Sequence, residues 1–364
     1  MKRLIAGTAA GLLASVLFLQ VPVRAVSAEK AIVLDGTTGR ILFEKNPDSR
    51  ALIASTTKIM TALIVCEQCN VLDRMRIPKE AVGIEGSSMY LREGEVLTVQ
   101  ELLYGLMLSS GNDAAVALAI YCGGNLEGFV EMMNDKARIL GLGGTHFENP
   151  NGLDSPGHYS TARDLAKLSA YAMSNPVFRQ TVSTRTVKAG ERYLRNHNKL
   201  LWMYADAEGI KTGYTRAAGR TLVSAARRQD RRLICVTLNA PDDWNDHRQL
   251  LDRGFEDYAV RRIVSAGEVI ASMEVAGGAG QRVEIQAAED FDFCLAAGEN
   301  PALVLPGPGF VYAPAVQGAD AGYAYLVVEG NALAKIPVVY GRTVERMAEE
   351  PPSVWERLLG GREQ

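Results

Sequence analysis

Two stretches of this chain, residues 31–44 and 221–238, read as β-strand pairs, and the interval between them is patterned mainly as helix. Ala31-Ile32-Val33-Leu34-Asp35 and Arg40-Ile41-Leu42-Phe43-Glu44 are joined by Gly36-Thr37-Thr38-Gly39, a hairpin signal. Thr221 to Ala225 and Leu233 to Leu238 flank the charged turn Arg227 to Arg232. Between the pairs, Ile59, Met60, Leu63 and Ile64 share one helical face, as do Leu102, Leu103, Leu106 and Met107 behind Thr98, a suitable N-cap. Amphipathic helices are expected from about Leu126 to Leu140 and, after Ser160-Thr161, through Leu165, Leu168 and Tyr171. Strands at both ends of a helical middle imply an α/β (α+β) unit in which first and last strands meet in one antiparallel sheet under helices. A final helix is read from His247 to about Tyr258.

After Ser265 the texture changes. Glycines punctuate short alternating runs such as Arg282-Val283-Glu284-Ile285 and Tyr323 to Val328, as in a small all-β domain. The chain therefore divides into a leader (1–28), a catalytic unit (29–262), a β-rich C-terminal domain (263–345) and a tail (346–364). In the tail, Val354, Trp355, Leu358 and Leu359 fit one helical face that suits a membrane surface or the protein itself, but two turns favour a frayed end. The leader has Lys2 and Arg3, an apolar run from Leu4 to Leu19, and small residues Val26-Ser27-Ala28 for signal-peptidase cleavage. Val23-Arg24-Ala25 is the alternative cut, and an uncleaved anchor the alternative fate. All of these place the domain outside the cytoplasm.

With 364 residues, a formal charge of -3 and no basic tract interleaved with aromatics, the chain lacks the marks of a nucleic-acid binder. Its five cysteines are too few for a disulfide-built scaffold. Cys66-Glu67-Gln68-Cys69 closes an apolar helical stretch with no second Cys or His pair at zinc spacing, so packing is the expected role.

Three short segments carry chemistry. In Ser55-Thr56-Thr57-Lys58 the spacing places nucleophile and base on one helical face. The lysine can act as base only where burial or a nearby cation depresses its pKa. A helix start would also aim free N–H groups at developing negative charge. Ser110-Gly111-Asn112 sits at a turn between helical runs, where Ser110 can relay protons and the Asn112 amide can hold a substrate amide. Lys211-Thr212-Gly213, followed by Tyr214, offers a cation and a hydroxyl for a carboxylate, and a glycine that lets a substrate backbone approach. Each alone is common.

In this order they resemble the S-x-x-K, S-x-N and K-T-G set of penicillin-binding proteins and serine β-lactamases. The resemblance extends to Gly86-Ser87-Ser88-Met89-Tyr90-Leu91, Phe147 to Leu153, His158 to Asp164 and Asn196 to Leu201. Over about residues 29–262 the chain resembles the low-molecular-mass penicillin-binding proteins of the serine D-alanyl-D-alanine carboxypeptidase family. That resemblance implies the β-lactamase/transpeptidase-like fold. It implies Ser55 as acylated nucleophile, Lys58 as general base, and Ser110 and Asn112 on the opposite wall. Lys211 and Thr212 would contact the substrate carboxylate, and the N–H groups of Ser55 and Tyr214 would form the oxyanion hole beside Gly213. The implied substrate is a peptidoglycan stem peptide ending in D-Ala-D-Ala, β-lactams are the implied covalent inhibitors, and neither metal nor organic cofactor is required.

One departure stands out. Where some relatives carry a carboxylate-binding arginine before the last helix, this chain reads Asp242-Asp243-Trp244-Asn245-Asp246, which leaves Lys211 and Thr212, with Arg216 or Arg248 as possible helpers. The four histidines, His146, His158, His197 and His247, lack a G-x-S-x-G elbow and read as structural or rim residues. A serine β-lactamase, a DD-endopeptidase and a non-catalytic wall-binding module are the competing functions. The glutamate segment that deacylates class A β-lactamases is not found, and the intact motifs weigh against a purely binding role.

Overall fold

The computed structural model describes residues 26–278 and 281–347. The leader up to residue 25 and the tail from residue 348, with the readings made of them, lie outside the described residues. Among the described residues no helix is long and apolar enough to cross a membrane.

The expected meeting of first and last strands occurs. Strands β1 (Lys30–Asp35) and β2 (Ile41–Lys45) form the hairpin, and β1 pairs on its other edge with a strand some two hundred residues later, Ile32 opposite Val236. Between them in the chain come α1 (Lys58–Gln68), the small hairpin β3 (Arg74–Arg76) and β4 (Val96–Thr98), then α2 (Val99–Leu108), α3 (Asn112–Gly123) and α4 (Leu126–Ile139). They are followed by α5 (Ala162–Ala172), α6 (Pro176–Ser183), the hairpin β5 (Thr186–Ala189) and β6 (Arg192–Arg195), and α7 (Leu200–Met203). Strands β7 (Ala207–Thr215), β8 (Gly219–Arg228) and β9 (Arg231–Leu238) complete a five-stranded antiparallel sheet of order β2-β1-β9-β8-β7.

Central strands covered on both faces should read as continuous apolar runs, and β9 is buried without a break from Leu233 to Leu238. Helix α5 packs on β1 and β9 from one side, while α8 (Asp243–Glu256) packs on β8 and β9 from the other. Helix α1 is buried from Lys58 to Val65, which explains why it is apolar on every side rather than along one stripe. Its neighbours keep conventional ends: Thr98 and Glu101 form a reciprocal capping box on α2, and Asn125, Thr161 and Asn175 cap α4, α5 and α6.

Two differences from the sequence expectation have local causes. Lys211-Thr212-Gly213 lies inside β7 rather than ahead of a strand, because its lysine is buried where a sequence pattern expects an apolar residue. Helix α8 starts at Asp243, four residues before His247, since the acidic segment forms its first turn and Asp246 faces inward.

The β-rich part consists of β10 (Tyr258–Val264), β11 (Val269–Ala276), β12 (Arg282–Ala287), β13 (Phe291–Ala296), β14 (Pro301–Val304), β15 (Phe310–Tyr312), β16 (Asp320–Val328) and β17 (Asn331–Tyr340). A six-stranded sheet of order β14-β16-β17-β12-β11-β15 and the β10-β13 pair enclose a core that includes Val283, Phe293, Leu326 and Ile336. Position 262, expected as a boundary, falls within β10, which already pairs with β13. The junction is polar and closely packed: Arg40 donates to Cys294 O at 2.6 Å and pairs with Glu299, and Arg231 joins Asp35 to Tyr258 O at 2.6 and 2.7 Å.

Candidate active site

The nucleophile turn is a single 3-10 turn, Ala54–Thr57, leading directly into α1. Ala54 adopts φ +46°, a left-handed conformation that costs a residue with a side chain about 1–3 kcal/mol and persists only where its surroundings enforce it. Here they do. Thr57 Oγ1 donates to Ala54 O at 2.9 Å and Thr56 Oγ1 to Ile53 O at 2.6 Å. Glu148 N donates to His158 Nδ1 at 3.0 Å, so the ring proton lies on Nε2 and is donated to Thr57 Oγ1 at 2.7 Å. Burial lowers the His158 pKa to about 4, keeping it neutral in this role. Gly152, at φ +87°, passes so close behind the turn that a Cβ there would overlap the Ala54 carbonyl oxygen.

Lys58 is fully buried at the centre of the site. Its Nζ lies 3.0 Å from Ser55 Oγ, 2.6 Å from Asn112 Oδ1 and 2.5 Å from Asn151 O. Asn112 Nδ2 donates to Glu85 O at 2.5 Å, which orients its Oδ1 toward the lysine. Burial, and then the charge of Lys211, holds the Lys58 pKa well below its ordinary value, against the opposing charge of Asp113. In a neutral amine the two N–H bonds satisfy Asn112 Oδ1 and Asn151 O, two groups that only accept. The lone pair is then left for the Ser55 hydroxyl proton. An ammonium here carries the cost of burying a charge with no carboxylate in contact, several kcal/mol, so the neutral form wins.

Ser110 and Asn112 form the facing wall. Ser110 adopts φ +60° in the turn between α2 and α3. The Gly86–Leu91 segment is bound to the start of α3 by the buried Asp113 carboxylate, which accepts from Met89 N, Leu91 N and Ser88 Oγ at 3.0, 3.0 and 2.6 Å. Asn112 N in turn donates to Ser87 O at 2.7 Å.

The third wall is β7. Gly213 runs beside the nucleophile turn, and a Cβ there would lie 3.0 Å from Ser55 N. Lys211 is buried, donates to Thr212 O at 2.8 Å, and has its pKa lowered to about 7 by burial. Ser55, Ser87, Ser110, Thr212, Gly213 and Tyr214 line one open cleft of about 320 Å³ with His197, Lys199, Arg220, Asp243 and Trp244. The structure thus brings the three motifs together, with Lys58, Asn112 and Lys211 behind the cleft surface.

Arg216 and Arg248 are not among the cleft-lining residues; Arg220 is. It stands opposite Tyr214 in the β7–β8 register and donates Nη2 to Asp243 Oδ1 at 2.7 Å, with its guanidinium 5.7 Å from the Trp244 ring centre. Its buried Nε has no partner. Sequence reasoning did not single out Arg220, Asn151 or His158 for these positions. The register opposite the K-T-G segment would have been the signal for Arg220, but it needs the strand pairing. His247 bridges Ser224 and Thr237 deep behind the sheet, and His146 holds Gly157 O, so both are structural. Among the described residues no cluster of His, Cys, Asp and Glu is placed to hold a metal ion.

Residues 18–242 match the family model for D-alanyl-D-alanine carboxypeptidase, and residues 258–346 match that for the penicillin-binding protein 5 C-terminal domain. The D-alanyl-D-alanine carboxypeptidase DacF of Bacillus subtilis is 33% identical over 332 residues, 85% of this chain and 84% of the relative. DacC of Escherichia coli is 32% identical over 341 residues, 88% and 85% of the two chains. Among solved structures, penicillin-binding protein 5 of Haemophilus influenzae superposes with a TM-score of 0.78 at 29% identity, covering 89% of this chain and 99% of that one. The Streptomyces K15 DD-transpeptidase superposes with a TM-score of 0.61 at 35% identity, covering 64% and 98%.

Proposed function

This chain belongs to the D-alanyl-D-alanine carboxypeptidase family, and from that premise we propose how its cleft removes the terminal D-alanine of a stem peptide. The protein is a serine-type D-Ala-D-Ala carboxypeptidase of cell-wall peptidoglycan, open to acylation by β-lactams. Lys58, neutral, takes the proton of Ser55 as its oxygen attacks the carbonyl of the penultimate D-alanine. The N–H groups of Ser55 and Tyr214 receive the developing oxyanion, a contribution of about 3 kcal/mol per donor. Ser110 passes the proton to the departing D-alanine nitrogen as the C–N bond breaks, and water then hydrolyses the Ser55 ester. Asn112 holds Lys58 through Oδ1 from behind the wall against which the peptide lies.

The carboxylate of the departing residue is received by Thr212 and by Arg220, which line the cleft, with the buried Lys211 behind them. The charge of Lys211 adds to burial in keeping Lys58 deprotonated. Asp243, the carboxylate among the cleft-lining residues, is paired with Arg220 rather than aimed at a deacylating water, which favours the peptidase over a β-lactamase. The enzyme works outside the cytoplasm, with residues 29–262 as catalytic unit followed by the β-rich domain. The two pure acceptors around Lys58 Nζ, which leave its lone pair facing the Ser55 hydroxyl, are the observation that carries this reading. Incubating the protein with a pentapeptide ending in D-Ala-D-Ala tests it. Free D-alanine is expected from the wild type and none from Ser55→Ala; no release from either would leave only a binding role.

A further inference from the structure

The Cys66-Glu67-Gln68-Cys69 segment has no part in the reaction, yet one of its thiols is not simply packed. Cys69 is the residue on which α1 ends, with extended backbone at φ -115° and ψ 146°. Cys122 is the penultimate residue of α3, which lies alongside α1. Both are half-buried where the ends of these two packed helices meet, and each thiol shifts the titration of the other. Next to them Tyr121 OH donates to Asp73 Oδ2 at 3.0 Å, so the end of α3 and the chain leaving α1 are held together on both sides of the thiol pair. Cys66 is more deeply enclosed, with burial raising its pKa to about 12.

We propose that Cys69 and Cys122 are a disulfide-forming pair that ties the distal ends of α1 and α3. The opposite ends of these helices carry Lys58 and Asn112, so the link would brace two walls of the cleft from behind. The chemistry needs an oxidised disulfide donor, such as an exported disulfide oxidoreductase or oxidised glutathione. The Cys69 thiolate attacks one donor sulfur and expels the other as thiolate. Cys122 then attacks the Cys69 sulfur of this mixed disulfide and expels the second donor thiolate. The pair loses two electrons and two protons, and the donor becomes a dithiol. The same exchange started from Cys122 gives the same cross-link and the same electron balance.

The loop so closed spans about 50 residues and includes Ser110-Gly111-Asn112. Restricting it in the unfolded chain predicts a melting temperature higher by about 5 to 10 °C than that of the dithiol form. The test equilibrates the purified protein in oxidised glutathione, blocks free thiols with N-ethylmaleimide under denaturing conditions, and maps peptides without reductant. A Cys69–Cys122 cross-link is expected, with the other cysteines alkylated, together with a melting temperature that dithiothreitol lowers in the wild type but not in Cys122→Ala. Full alkylation of Cys69 and Cys122, or a Cys66–Cys69 link instead, overturns the proposal. Neither readout depends on peptidase activity, so the result is separate from the functional reading.

Discussion

Two cations serve the cleft from different depths. Lys211 is almost wholly buried, and its charge is felt by Lys58 across the site, whereas the Arg220 side chain is 42% exposed and borders the cleft itself. A planar guanidinium braced by Asp243 still has donors in a fork that matches a carboxylate. Arg220→Gln should therefore lower the rate of Ser55 acylation by penicillin about 10- to 100-fold, while acylation by penicillin methyl ester stays nearly unchanged. Arg220→Lys should fall between, having charge without the fork. Equal losses on acid and ester, measured by intact mass against time, would assign Arg220 a structural role instead. Chain proximity alone suggests Arg216 and Arg248 for this task. Arg220 emerges only once Tyr214 is seen opposite it across two strands.

At the level of elements, the site is a meeting of one turn, two helix starts and one edge strand, held by loops that bear no reactive group. The segment from His146 to Ser160 supplies the second pure acceptor of Lys58 through Asn151 O and also buttresses the nucleophile turn through His158 and Gly152. Gly152→Ala places a methyl against the Ala54 carbonyl in a backbone region that disfavours side chains. We expect a loss of at least about 1 kcal/mol in denaturant unfolding and a fall in acylation rate of about 10-fold or more, because Ser55 moves with Ala54. Wild-type acylation by Gly152→Ala would show that the turn is held without this contact. The Ser55, Ser110 and Lys211 segments were legible as motifs because each is contiguous. Asn151 and His158 were not, because their roles depend on where a long loop folds back. Helix α6 escaped notice for a related reason: eight residues carry too little periodicity to read, although Asn175 and Pro176 mark its start.

On the scale of the whole molecule, sheet order was legible because strand-like sequence flanks a helical middle, and β1 does lie between β2 and β9. What sequence left open is how the ends are fastened. Asp246, buried on α8, accepts from Ser27 N, Ser27 Oγ and Ala28 N at 3.0, 2.7 and 3.0 Å, and Ala28 is fully buried. Cleavage after Ala28 would remove all three donors and strand that carboxylate, at a cost of about 3 kcal/mol. The cut after Ala25 keeps them. N-terminal sequencing of the exported protein should thus give Val26, and a chain begun at Glu29 should melt lower by about 5 °C or more. A natural start at Glu29 with undiminished stability would rule this out.

All these arrangements converge on a lysine kept neutral beside a serine. The pH dependence of penicillin acylation at Ser55, followed by intact mass and peptide mapping, is the most direct test. A base with a depressed pKa is active above that pKa, so the wild-type rate should rise with pH along a limb lying well below the ordinary lysine range. Lys58→Ala should acylate about 100- to 10,000-fold more slowly and lose that limb. An adduct on another residue, or a Lys58→Ala variant that keeps the wild-type rate and profile, would contradict the account.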